Sequence, residues 1–254
     1  MPTPSELVLP LSMAVAAGLV GSVAVMRRMT LAADAISHIA LPGVGLALLL
    51  RFDPVLGALG ALLVGAFLVW GVERQTRIPT EAIIGVVFSL ALAIGSMMAS
   101  GEQLIDALFG APQSLGQTEL VLGGVAAVLV IAFMLWARSE LVIALVSPDL
   151  ARTAGVRVAR VELMFLMAFA LTVALGLRYL GVLLMGSLII IPAATAKQLA
   201  RSLDGMQWWS VGLAVFAMLA GSLGGPLLGV ATGPLTIVVA AAVFFMSLVT
   251  RRAG

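Results

Sequence analysis

Residues 30–50 read TLAADAISHIALPGVGLALLL, and this stretch decides what kind of chain this is. It is apolar and long enough to cross a membrane, which takes about 20 such residues. It nevertheless carries an aspartate and the only histidine of the protein. Asp34 and His38 are four residues apart, one above the other on a single helix face. Pro42 follows at the same interval. Proline has no N–H to offer the carbonyl four residues back, so the His38 oxygen loses its helical partner. A carboxylate, an imidazole and a freed carbonyl are all ligand types for a divalent metal ion. An aspartate at the centre of a spanning helix costs roughly 2.5 to 3.5 kcal/mol on insertion scales, so some interaction has to offset it.

The rest of the composition agrees with a membrane setting. Of 254 residues, 62% are hydrophobic and 10% charged, against about 25% charged in a soluble domain. Mean hydropathy is +1.18. Such a chain cannot cover its surface with polar side chains, so that surface faces lipid. The length suits one helical bundle, a single transmembrane domain over residues 1–254. There is no cysteine, which excludes disulfides and thiolate metal sites. The net charge of +2 is a topology signal in a membrane protein, and does not point to nucleic acid. MPTPSELVLP at the N-terminus has no positive n-region, so 8–26 reads as a retained span and not a cleaved leader.

Apolar runs occur at 8–26, 30–50, 55–72, 80–99, 120–137, 160–177, 180–200, 208–227 and 233–250. These predict an all-α, polytopic transmembrane bundle of about nine spans. With the N-terminus outside, twelve of the fourteen basic residues fall in inside connections, and only Arg51 and Arg178 fall outside. That bias fits the positive-inside rule and places the C-terminus in the cytoplasm. Two connections are long. Residues 100–118 lie outside, with Glu102 and Asp106 ahead of Leu108 and Phe109. Residues 138–159 lie inside, where Ser147-Pro148-Asp149 has the form of a helix start and Gly155 that of a stop. A short basic helix there is either a docking element or a long loop obeying charge topology.

Most other charges, such as Glu73, Glu81, Glu119 and Glu162, sit at span ends and need no function. Asp34 and His38 differ, lying roughly 6 and 12 Å into their span at 1.5 Å per residue. The plain alternative is a structural pair, with the carboxylate accepting a hydrogen bond from the imidazole. Two ligands cannot close a transition-metal site, which takes four to six. A two-fold homodimer would supply the other half around a shared axis. Glu102 and Asp106 can attract cations from outside, or are simply solvated loop carboxylates. Met185 and the other methionines read as packing residues, and Trp208 and Trp209 as an interface belt. No G-x-x-x-x-G-K-[ST] phosphate loop, H-E-x-x-H or G-x-S-x-G is present, so the chain lacks these devices for ATP binding and hydrolysis.

ADAISHIALPGVGLALLL resembles the second-span signature of the ABC-3 family permeases, the membrane subunits of bacterial zinc, manganese and iron ABC importers. VSPDLARTAGVRV at 146–158 resembles that family's cytoplasmic coupling segment, with Pro148, Asp149, Ala151 and Gly155 at the matching positions. YLGVLLMGSLIIIPAATAKQLA at 179–200 and IDALFG at 105–110 are similar to two further family motifs. The resemblance implies a homodimeric permease with two copies of a separate ATPase subunit, which would bind the ATP. It also implies an extracytoplasmic solute-binding protein that delivers the metal. The fold would be similar to that of the vitamin B12-type importers, in eight or nine spans, with the seventh partly broken near Gly181 to Gly186. Asp34 and His38 would be metal-pathway ligands, and a coupling helix at about 147–156 would sit in the ATPase cleft. Glu102, Asp106 and Phe109 are candidates for an external mouth or gate. The expected function is alternating-access import of a divalent transition metal across the bacterial inner membrane. Zinc comes first, with manganese or iron as alternatives, and no cofactor is resident on this chain. The rivals are a proton-coupled secondary transporter, in which the same pair relays protons, and a membrane-embedded metalloenzyme.

Overall fold

A computed structural model of the chain describes residues 4–29, 35–76, 78–98 and 117–252. Among these residues there is no strand, and ten helices follow one another. They are α1 (Pro4–Met26), α2 (Ala40–Leu50), α3 (Pro54–Gln75), α4 (Thr80–Met98), α5 (Gln117–Trp136), α6 (Arg138–Val146), α7 (Pro148–Thr153), α8 (Val158–Leu199), α9 (Leu203–Leu228) and α10 (Thr232–Arg252). A helical turn at 35–38 precedes α2.

α1 is the central post. Of its apolar window 78% is buried, against 22–28% for α3, α4, α9 and α10. Its alanines make this depth attainable: Ala14, Ala16 and Ala17 are fully buried, as are Leu19 and Val20. Small residues let helix backbones approach, which drives association in lipid, where burying apolar area gains little. At Gly21 a Cβ would fall 2.0 Å from the carbonyl oxygen of Ile189, so α1 and α8 touch backbone to backbone. Ser210 in α9 donates to the Gly18 carbonyl of α1 at 2.8 Å, satisfying a buried hydroxyl across the α1–α9 seam.

α2 and α3 form an antiparallel hairpin. Arg51 takes a left-handed conformation (φ 56°), and its N–H reaches the Ala47 and Leu48 carbonyls to close α2. Asp53 then caps α3, its carboxylate accepting from the Val55 N–H at 2.7 Å with Pro54 at the first position. The two helices meet at Gly43 and Gly57. A Cβ on either would lie within 2.2 Å of the other's carbonyl oxygen.

The expectation of nine full spans is corrected. Six helices among the described residues are long and apolar enough to cross a membrane, or seven if one bent pair is a single span. That pair is Leu120–Trp136 with Arg138–Val146, bent by 55°, and it occupies the run at 120–137. Arg138 at the bend pairs with Asp204 in the first turn of α9. Two other runs, 30–50 and 180–200, appear as the shorter apolar helices Ala35–Leu50 and Leu184–Leu199. The second of them belongs to α8, which is not straight. Nine residues of straight helix advance about 13.5 Å, yet a Cβ at Gly176 would sit 2.3 Å from Cγ of Met185. The axis therefore turns sharply between these two residues, close to where the family resemblance implies a break.

Large apolar side chains on α3, α4, α5, α9 and α10 are exposed, among them Leu56, Val86, Leu122, Phe216 and Phe245. In a membrane that surface is solvated by lipid or covered by another subunit. Gly57→Val should lower the melting temperature in detergent by several degrees, because overpacking costs about 1–3 kcal/mol or more against backbone. Gly60→Ala on the same helix has nothing within 4 Å of its added Cβ, so it should leave the melting temperature equal or higher. Equal melting for Gly57→Val and the parent would refute the close α2–α3 contact.

Candidate functional site

The pathway candidate begins with His38. The helical turn at 35–38 ends at Ile39, whose N–H bonds to the Ile36 carbonyl at 3.0 Å, and α2 proper starts one residue later. This interruption lies where Pro42 withholds a donor from the His38 carbonyl. Ser37 beside it is fully buried. The His38 side chain is half-buried, and its ring stands 5.5 Å from that of Phe88 on α4, tilted by 58°. Its Nδ1 atom is sealed from solvent and has no hydrogen-bond partner among the described residues. An unsatisfied buried nitrogen of this kind costs about 1–3 kcal/mol and calls for an explanation beyond packing. Neighbouring contacts hold the backbone in place. Ile39 packs on Gly65 of α3, and Leu41 and Pro42 pack on Gly95 of α4.

Asp34, Glu102, Asp106 and Phe109 lie outside the described residues. Among the described residues no group of three or more histidine, aspartate and glutamate side chains comes together as a metal site. His38 therefore stands as a single described donor within one chain.

The segment after α6 forms the short helix expected of it. Ser147 is the N-cap of α7, its hydroxyl accepting from the Leu150 N–H at 3.3 Å, with Pro148 at the first position. Gly155 has φ +81°, a left-handed backbone that only glycine adopts without strain. Ala151 is fully buried and anchors the helix, while Asp149 and Arg152 are exposed and paired at 3.2 Å. A cleft of about 830 Å³ lies beside α7, lined by Glu73 and Arg74 from α3, Arg152, Gly155 and, on α8, Arg160 and Glu162. Trp70 fastens α3 to the start of α8, its indole donating to the Ala159 carbonyl at 2.9 Å, and Arg74 lies over the indole ring at 5.0 Å. Arg27, just after α1, stacks 5.1 Å from the Phe165 ring centre. Burial pushes its guanidinium below the ordinary arginine value, while the nearby Glu162 and Glu73 pull the other way.

Read in sequence, Glu73 and Glu162 were span-end charges without a function. The structure gathers them with Arg27 beside the α7 cleft, a grouping that no local motif announces. Phe88 was likewise invisible, since one phenylalanine in an apolar run says nothing about which residue it faces.

Comparison with known proteins follows the same lines. A family model described as the ABC 3 transport family matches residues 5–251. The chain is 27% identical to the high-affinity zinc uptake system membrane protein ZnuB of Haemophilus influenzae over 237 residues, covering 91% of each. It is 32% identical to the manganese import system permease protein ScaB of Streptococcus parasanguinis, over 95% of this chain and 88% of that one. Among solved structures, PsaBC from Streptococcus pneumoniae in complex with Fab superposes with a TM-score of 0.81 at 27% identity, covering 95% of this chain and 88% of that one. Together with its all-helical fold, a family match over nearly the whole sequence shows that this chain belongs to the ABC 3 transport family.

Proposed function

We propose that this chain is the permease subunit of an ATP-driven importer for a divalent transition metal, with zinc the first candidate and manganese or iron the alternatives. The observation that carries the metal reading is His38: an imidazole nitrogen buried without a partner, at a proline-interrupted helix turn, on the motif shared with the family. Relatives named for zinc and for manganese support the class of cargo without choosing within it. A mixed carboxylate and imidazole set suits Zn²⁺, and it serves Mn²⁺ and Fe²⁺ nearly as well.

In this reading the chain lies in the bacterial inner membrane with its N-terminus outside and its C-terminus in the cytoplasm. Two copies meet on a two-fold axis, and Asp34 and His38 from each provide the metal ligands. One histidine per chain would then become two donors. Two ATPase subunits dock on the cytoplasmic face, where Pro148, Asp149, Ala151 and Gly155 shape the coupling helix. An extracytoplasmic solute-binding protein delivers the cation near Glu102, Asp106 and Phe109. Closure of the ATPases pushes α7, and the adjoining ends of α3 and α8 move with it through the Trp70–Ala159 bond. The rocking exposes the axial site to one side and then to the other.

Two outcomes are expected in proteoliposomes holding the whole transporter. His38→Ala and Asp34→Ala should each reduce uptake of radiolabelled Zn²⁺ or Mn²⁺ to background while the subunits still copurify; undiminished uptake would remove the metal role. Gly155→Val strains the backbone at φ +81° by about 1 kcal/mol or more and should lower the uptake achieved per ATP hydrolysed. A parental ratio of uptake to hydrolysis would show that α7 does not couple the two.

A further inference from the structure

Histidines that ligate metals usually donate their other ring nitrogen to a carboxylate or a backbone carbonyl, which fixes the ring and its tautomer. Among the described residues no such tether holds His38, because Nδ1 is buried and has no hydrogen-bond partner there. The contact that does hold the ring comes from another helix. Phe88 stands on the stripe Ile84, Phe88, Ala91 and Gly95, whose spacing places all four on one face of α4. Ile84 and Ala91 on that stripe are buried. Gly95 is so close to α2 that a Cβ there would lie 3.0 Å from Cβ of Leu41. The stripe thus presses on the 38–42 segment, with Phe88 meeting the imidazole at 5.5 Å and 58°.

We propose that Phe88 is a positioning residue for the transported divalent cation, setting the orientation of the His38 imidazole by ring packing in place of a hydrogen bond. This rests on the reading of His38 as a metal ligand. The chemistry differs from that of a tethered histidine in one respect that suits transport. A hydrogen bond to Nδ1 would commit the ring to one tautomer and one orientation, whereas an aromatic face restrains its tilt and leaves either nitrogen free to bind. Because Phe88 belongs to α4 and His38 to the turn before α2, sliding of one helix past the other changes how the nitrogen is presented. Helix movement can then weaken cation binding without breaking a bond to the ring.

His38 is the only histidine, so the full chain carrying ring-¹⁵N histidine in lipid nanodiscs reports this one imidazole without assignment. The experiment titrates Zn²⁺ into the parent, Phe88→Leu and Phe88→Tyr. For the leucine variant the expected result is a midpoint weaker by about tenfold, the low end of what losing an orienting partner does. Its metal-free ring signals should also be averaged over several orientations. Tyrosine keeps the ring, so it should restore a parental midpoint and a single set of signals. If the leucine variant folds poorly, Phe88→Met carries the same expectation. Parental midpoint and signals in the leucine or methionine variant would overturn the positioning role alone, leaving His38 as a ligand. Parental His38 signals that ignore Zn²⁺ altogether would overturn both that reading and this one.

Discussion

The constraint on which this structure depends is that polar atoms placed in hydrocarbon need partners, and among the described residues His38 Nδ1 has none, as is also true of Arg27 Nε and Gln198 Oε1. Other buried polar groups do find partners. The buried hydroxyls of Ser22, Thr172 and Ser210 each donate to a carbonyl, and the Trp70 indole finds Ala159. Helical regularity is also interrupted beside this histidine, at Ile39, where Pro42 withholds a donor from the His38 carbonyl. An unpaired nitrogen, an interrupted helix and an aromatic neighbour on a second helix coincide at one place. A site that binds briefly and lets go would be built in this way.

Much of the architecture was legible because lipid simplifies the code. Apolar runs marked the helices, and small residues marked where they approach, as Gly43 does against Gly57. The helix α7 was legible for a different reason: Ser147, Pro148 and Gly155 each have a local backbone role, and local roles do not depend on the rest of the fold. Span counting failed where hydropathy was blind to direction. A run such as 180–200 looks continuous in composition, and only the contact of Met185 with Gly176 shows how the axis turns before it. The bend after Trp136 is equally silent in composition, since Ala137 and Arg138 carry no breaker.

The candidate site was half legible. A histidine and an aspartate four apart in an apolar stretch point to a pathway on chemistry alone. The ring packed against the histidine comes from a residue fifty positions away, and no periodicity connects the two. The charges at the helix ends show the same limit. Arg27, Glu73 and Glu162 each satisfied the topology rule and so carried no further information until the ends of α1, α3 and α8 were brought together around the cleft beside α7. In a membrane protein, charge placement answers to insertion first, and a second use is visible only in three dimensions.

The most direct measurement is an anomalous-scattering difference map of the whole transporter crystallised with Zn²⁺, recorded above and below the zinc absorption edge. The account predicts a peak on or near the two-fold axis at about 2.1 Å from a His38 imidazole nitrogen, with Asp34 among its ligands. A peak elsewhere in the membrane region, with both His38 rings turned to lipid or closed off from the axis, would contradict it.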